Sequence, residues 1–120
     1  MKRDMDLARQ IMLAIEEQPY QGGPGFTITP KAVAAEELSY HVMLLHEAGL
    51  IEATSTTYLS GETAWRVKRL TWQGHEFLDA ARDQKTWNQA KRTISEKGGS
   101  LTFEVLKAVL SQLARQAVGF

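Results

Sequence analysis

The sequence predicts a small α+β domain that is mostly helical. Its 120 residues are 43% hydrophobic and 23% charged, which is ordinary for a globular protein and unlike a disordered chain. Apolar residues recur with a helical period along most of the chain, and the period changes to two only between residues 50 and 70. These observations favour several helices around one β-hairpin, in a chain long enough for a single compact core.

The first helix is predicted at the N-terminus. Asp4 and Asp6 suit a helix start, because carboxylates stabilise the positive end of the helix dipole. One face then carries apolar side chains, at Leu7, Ile11, Ala14 and Ile15. Pro19 ends the helix, and the glycine-rich stretch 21–25 predicts a loop. A short strand is expected at 26–29, since Phe, Thr and Ile favour an extended backbone.

A second helical segment is predicted from Thr29 and Pro30 to Ala48, with Gly49 as its left-handed terminal residue. We expect a break near residues 33–35 that divides this segment into two helices. Its buried stripe is predicted to contain Leu38, His41, Val42 and Leu45. The histidine of that stripe is expected to be a core side chain with satisfied hydrogen bonds rather than a ligand.

Residues 50–59 and 64–70 predict a β-hairpin around a turn at 60–62. In its second strand one face is expected to carry Trp65, Val67 and Arg69, and the other Ala64, Arg66, Lys68 and Leu70. Three helical segments are predicted after the hairpin, with Thr71 and Ser100 as caps of the first and the last. The three tryptophans are expected in the core, because large aromatic side chains dominate small cores.

This order of elements is that of a winged helix-turn-helix domain with a two-stranded wing and extra C-terminal helices. The single domain 1–120 then divides into a winged-helix core, 1–82, and a C-terminal helical extension, 83–120. The helix before the hairpin would be the recognition helix and the hairpin would be the wing.

Two motifs resemble those of bacterial winged-helix transcription regulators. The first covers residues 37–51 and ends in Ala48-Gly49-Leu50-Ile51, and the second is Leu70-Thr71-x-x-Gly74 with Phe77-Leu78. Over nearly the whole chain the sequence is also similar to a prophage-associated bacterial family of small proteins of unknown function. That resemblance implies a phage or mobile-element origin and supplies no catalytic or binding residues.

The net charge of zero conceals an asymmetry along the chain. Residues 1–60 contain four basic and eight acidic side chains, whereas residues 61–120 contain ten basic and six acidic. The stretch 65–92 interleaves cations with tryptophans, a pattern typical of nucleic-acid interfaces. Its candidate DNA-binding residues are Arg66, Lys68, Arg69, Lys85, Lys91 and Arg92. A solvated charged face remains the alternative interpretation of these residues.

The predicted recognition helix argues against the usual docking in the major groove. Residues 33–40 contain no Arg, Lys, Asn or Gln, and two adjacent glutamates would face phosphate. The alternative function is therefore a protein-interaction module, such as an antirepressor, a DNA mimic or an inhibitor of a host factor. Its candidate residues for a basic partner are Glu36, Glu37 and Tyr40. The glutamates can equally serve the start of the helix.

Several other classes of function are disfavoured by the sequence. The absence of cysteine excludes disulfides and thiolate metal sites, and no motif for catalysis or phosphate binding is present. We expect no enzymatic activity, no cofactor and no metal. The longest aliphatic run, 42–45, is too short for a membrane span, so a cytoplasmic protein is expected. The apolar last helix can close the core or form a homodimer.

Overall fold

The computed structural model describes residues 1–20, 23, 25–28 and 33–119. Among these residues the fold is α+β and mostly helical, as predicted. Its elements are α1 Met5–Glu17, α2 Ala35–Glu47, β1 Ile51–Thr57, β2 Thr63–Leu70, α3 Trp72–Ala81, α4 Gln84–Glu96 and α5 Phe103–Val118. The helix start predicted at Thr29 and Pro30 lies outside the described residues. None of the described helices has the length and apolar character that crossing a bilayer requires.

The chain divides into two compact units, residues 1–75 and 76–120. In the first unit α1 packs on α2 and β2, and α2 packs on both strands. In the second unit α4 packs on α5. The division falls inside α3, a few residues before the boundary predicted at 82–83, and the single-domain organisation stays a prediction.

Helix α1 begins where the sequence predicts. The carboxylate of Asp4 accepts hydrogen bonds from the backbone N–H groups of Asp6 and Leu7, at 2.9 and 3.2 Å. Such a cap satisfies donors that have no partner within the helix. The buried face of the helix contains Met5, Leu7, Ala8, Arg9, Ile11, Met12 and Ile15.

Helix α2 is joined to α1 through a buried histidine. His41 is only 1% exposed; its Nε2 accepts from the Asp4 N–H at 2.8 Å, and its Nδ1 lies 2.8 Å from the Glu37 carbonyl. The prediction of a satisfied core histidine is confirmed. Val42 and Leu45 are buried beside it, as predicted, while Leu38 is half-buried.

The junction after α2 explains two glycines of the predicted motifs. Gly49 has a φ of +75°, the left-handed conformation that ends a helix. The Thr71 hydroxyl donates to the Gly49 carbonyl and accepts from the Gly74 N–H, which caps α3. Gly74 lies so close to Leu50 that a Cβ would overlap the Leu50 carbonyl oxygen. The two motifs therefore fix the end of α2 against the start of α3.

The hairpin contains a β-bulge that the sequence does not predict. Leu70 and Arg69 pair with Ile51 and Glu52, but the next pair is Val67 with Ala53, so Lys68 has no partner on β1. A shift of one residue reverses the faces of a strand. The predicted alternation is therefore wrong beyond Val67, which is buried although Arg69 is exposed.

A third extended segment joins the hairpin at Phe26. Phe26 and Val67 exchange two backbone hydrogen bonds of 2.8 Å as an isolated antiparallel bridge. Gly25 has a φ of +95°, and a Cβ there would lie 2.7 Å from the Val67 oxygen, so this approach requires glycine. A strand was predicted at 26–29, and among its described residues, 26–28, the structure contains this single bridge.

The second unit has its own aromatic contacts. The Phe77 ring packs edge-on against Trp87, with centroids 6.3 Å apart, and lies 4.9 Å from the Phe103 ring. Asp83 caps α4 by accepting from the Thr86 N–H. The cap of α5 is Thr102, which accepts from the Val105 N–H, and not the predicted Ser100.

The three tryptophans have different environments. Trp87 is fully buried as predicted, Trp65 is half-buried, and Trp72 is 76% exposed. The prediction is thus wrong for Trp72. Because Gly74 faces Leu50, a residue two positions earlier on the same helix is rotated by about 200° and points outward.

Candidate nucleic-acid interface

The six predicted DNA-binding cations lie on two elements. Arg66, Lys68 and Arg69 are on β2, in the first compact unit, and Lys85, Lys91 and Arg92 are on α4, in the second.

Arg66 connects β2 to the segment that carries the Phe26 bridge. Its Nη2 donates to the Gly25 carbonyl at 2.9 Å, and the side chain remains exposed. A hydrogen bond to a neutral carbonyl leaves the positive charge available to an external anion. Arg66 can therefore hold the segment and contact a phosphate at the same time.

Arg69 is held in place by two acceptors. Its Nε donates to the Glu52 carboxylate at 2.8 Å, across the hairpin, and its Nη1 donates to the Leu70 carbonyl at 3.1 Å. Both side chains of the ion pair are about half exposed, so the pair contributes little to stability. Its effect is to orient the guanidinium.

Lys68 is the bulged residue, and it lies on the same side as Arg69. Both line two neighbouring cavities of about 190 and 90 Å³, together with Tyr20. Lys68 makes no hydrogen bond or ion pair with the part of the chain that the structure describes. Of the three cations on β2, Lys68 therefore makes the fewest hydrogen bonds and ion pairs with the described residues.

On α4 the cations form a less compact set. Lys85 and Arg92 are exposed and lie seven residues apart, close to two full turns, so they share one stripe of the helix. Lys91 is half-buried and lies on the neighbouring side. Two exposed cations on one stripe can contact neighbouring phosphates.

The outward face of α2 is acidic and partly apolar. Helical spacing places Glu36, Tyr40, Met43 and Glu47 together, opposite the buried side chains of the helix. Glu36 and Glu47 are exposed, and the two residues between them are half-buried. This face carries carboxylates at both ends and no cation.

The predicted partner residue Glu37 lies apart from that face. It is half-buried, and its carbonyl is the acceptor for His41 Nδ1. With Glu36 it occupies the first turn of α2, where Ala34 provides no side-chain cap. The two carboxylates therefore stabilise the helix start through its dipole. Tyr40 packs its ring edge-on against His41, with centroids 5.9 Å apart.

The last helix divides its apolar residues between core and surface. Leu106 and Leu110 are fully buried, whereas Val105 and Val118 of the helix, and Leu101 just before it, are exposed. The interpretation that this helix closes the core thus holds for Leu106 and Leu110. The homodimer through this helix stays a prediction, for which the three exposed apolar side chains are available.

Two residues beside Lys68 and Arg69 were not predicted from the sequence. Tyr20 follows α1 and lines both cavities, and His75 of α3 lines the wider one. The bulge of β2 brings Lys68 and Arg69 together beside them, and no pattern in the sequence marks it.

Comparison with known proteins places the chain in a family. A family model described as hypothetical protein (DUF2513) matches residues 2–100. An uncharacterized protein of Haemophilus influenzae is 40% identical over 120 residues, which cover 97% of this chain and 98% of the relative. No solved structure shows a significant match. The chain belongs to the DUF2513 family of hypothetical proteins.

Proposed function

We propose that this chain is a winged-helix DNA-binding protein that acts as a transcription regulator, and that it contacts DNA through its hairpin. The order of α1, the Phe26 segment, α2 and the hairpin supports the winged-helix assignment. The Phe26–Val67 bridge adds support, because it joins a short extended segment before the helix to the sheet of the wing. A cytoplasmic location and a phage or mobile-element origin belong to the same proposal, which includes no catalytic role.

The observation that carries the proposal is the positive charge on β2. Three of its eight residues are cationic, namely Arg66, Lys68 and Arg69. Phosphate neutralisation supplies much of the affinity of proteins for DNA, and strands can lie along a groove or its backbone. The residues best suited to this contact are the exposed Arg66 and Lys68, which has no ion pair among the described residues.

The acidic outward face of α2 favours the hairpin, rather than α2 itself, as the element that contacts DNA. In the usual winged-helix complex this face would enter the major groove. Glu36 and Glu47 would then approach phosphates of like charge, and the face offers no side chain for bidentate base contacts. Binding through the hairpin alone would depend on phosphates, with weak sequence preference and strong salt dependence.

The test measures binding of a labelled duplex by fluorescence anisotropy across a range of salt concentrations. Wild type is expected to bind at low salt. The double variant Arg66→Ala/Lys68→Ala is expected to lose about tenfold in affinity and to reduce the salt slope by about two. The matched control is Lys97→Ala/Lys107→Ala, which removes the same charge elsewhere. No duplex binding by wild type at low salt would contradict the proposal, as would equal losses in both double variants.

A second candidate function is a protein-interaction module that uses the outward face of α2. Its charged ends and central Tyr40 and Met43 are complementary to a partner with basic residues around an apolar patch. The test compares proteins captured from host lysate by wild type and by Glu36→Lys/Glu47→Lys. The control Glu96→Lys/Glu104→Lys makes the same charge change elsewhere. A specific partner should be lost only from the first variant, and identical captures would refute the candidate.

A further inference from the structure

We infer that the groove beside the bulge of β2 binds a single nucleotide unit, an aromatic base with its phosphate. The groove consists of the two cavities of about 190 and 90 Å³ that share Tyr20, Lys68 and Arg69; we call it the Tyr20 groove. All its described lining residues belong to the first compact unit. The inference concerns a different ligand from duplex DNA, and Lys68 is the residue that the two contacts share.

The bulge creates the cationic side of the groove. In a regular strand Lys68 and Arg69 would point to opposite faces. The unpaired position of Lys68 brings both side chains to the same cavities. Bulges occur frequently next to functional sites because they redirect a side chain in this way.

The charge of the groove suits an anion. Lys68 and Arg69 contribute two positive charges to each cavity, against one carboxylate in each: Glu16 in the wider and Glu52 in the narrower. With His75 neutral, each cavity carries a net charge of +1. Glu52 is already bound by Arg69 at 2.8 Å, which orients the guanidinium, while the ammonium of Lys68 pairs with none of the described residues. A phosphate would therefore meet one oriented cation and one adaptable cation.

The remaining side chains suit a base. Tyr20 is 77% exposed at the edge of both cavities, which leaves its ring face available for stacking. Ile15 and Leu70 form an apolar floor in the wider cavity, and Gln18 adds a polar group that can pair with a base edge. An inorganic anion would use the cations alone, so the aromatic and apolar elements favour a nucleotide.

The nucleotide could come from two sources, a free mononucleotide or an unpaired position in a DNA strand. The experiment therefore titrates the full chain with three probes: deoxyadenosine monophosphate, inorganic phosphate, and a single-stranded oligothymidylate. Binding is followed by chemical-shift changes of the amides of Gln18, Tyr20 and residues 68–70. The variants are Tyr20→Ala and Lys68→Gln, and the control is Lys97→Gln, directly after α4, which makes the same charge change outside the groove.

We expect the mononucleotide or the oligonucleotide to shift these amides. Each groove variant should weaken that binding about tenfold or more, and the control should leave it unchanged. Saturation by the mononucleotide identifies a free ligand, and saturation only by the oligonucleotide identifies a position in a strand. Absence of both, equal binding by Lys68→Gln, or an affinity for phosphate that matches the mononucleotide and ignores Tyr20→Ala would overturn the inference.

The result is separable from that for duplex binding. Tyr20→Ala removes no charge, so its affinity for duplex DNA should equal that of wild type. Duplex binding without any response in the groove would refute this inference alone. A response in the groove without duplex binding would refute the proposed function alone.

Discussion

The backbone N–H of Asp4 donates a 2.8 Å hydrogen bond to Nε2 of His41, and this bond joins the cap of α1 to the middle of α2. The other ring nitrogen, Nδ1, lies 2.8 Å from the Glu37 carbonyl. A backbone N–H can only donate and a carbonyl can only accept, so the two partners fix the tautomer with its hydrogen on Nδ1. One side chain thereby orients two helices.

The first prediction concerns this tautomer. Long-range ¹H–¹⁵N correlation spectra near neutral pH are expected to show His41 with the proton on Nδ1, and with narrow signals that indicate a single ring orientation. The exposed His46 and His75 serve as internal references and are expected to show mixed tautomers. A His41 ring protonated at Nε2 alone would contradict the assignment.

Replacing His41 by phenylalanine is expected to destabilise the chain. The substitution leaves the partly buried Asp4 N–H without its acceptor, at a cost of about 1–3 kcal/mol. Urea unfolding followed by circular dichroism measures the change in the free energy of unfolding. The control is His46→Ala, at an exposed position, which is expected to change stability by about 0.5 kcal/mol or less.

The contact between Gly74 and Leu50 predicts a large difference between two glycine substitutions. Gly74→Ala should destabilise by about 3 kcal/mol, because the added Cβ meets a backbone oxygen that cannot move alone. Gly49→Ala places its Cβ in open space and is strained only through its positive φ, at about 1–2 kcal/mol. Thermal and urea unfolding of both variants test the order, and equal losses would mean that the close contact has no role.

The bridge between Phe26 and Val67 is predicted to depend on Gly25. An alanine there combines a strained φ of +95° with a Cβ 2.7 Å from the Val67 oxygen. Hydrogen exchange of the Phe26 and Val67 amides should become about tenfold faster in Gly25→Ala. Gly61→Ala is the matched control, since it has a similar φ of +90° in open space. Acceleration of the same two amides in the control would argue against a local effect.

The most buried and the most exposed tryptophan predict losses of stability of very different size. Trp87→Ala removes a fully buried ring packed against Phe77, and it should cost about 3–5 kcal/mol. Trp72→Ala removes an exposed ring and should cost about 0.5 kcal/mol or less. Chemical unfolding of both variants gives the comparison. A large loss for Trp72→Ala would mean that its ring is covered in solution.

The helices could be predicted because their signals are local. The Asp4 cap, the apolar face behind it and the stop before Pro19 all lie within the segment they define, and the structure follows them. The end of α2 at Gly49 is local in the same way. Where two hydroxyl residues precede one helix, as Ser100 and Thr102 do, the sequence does not decide which of them caps it.

The candidate site was less accessible to prediction, because it depends on register. Whether Lys68 pairs across the hairpin is set by an extra residue in one strand, and the spacing of side chains along β2 does not reveal it. Tyr20 follows a predicted helix and precedes a predicted loop, so nothing in the sequence connects it with β2. The exposure of Trp72 similarly follows from the Gly74–Leu50 contact, which joins positions far apart in the chain.

The distribution of the tryptophans also gives the chain built-in optical probes. Indole fluorescence shifts to longer wavelength as the ring meets water, so Trp87 should emit at the blue end of the spectrum and Trp72 at the red end. Trp65 belongs to residues 1–75 and Trp87 to residues 76–120. With Trp72 replaced by phenylalanine, the two remaining emitters report on one unit each, and their melting curves would show whether the halves unfold together or in sequence.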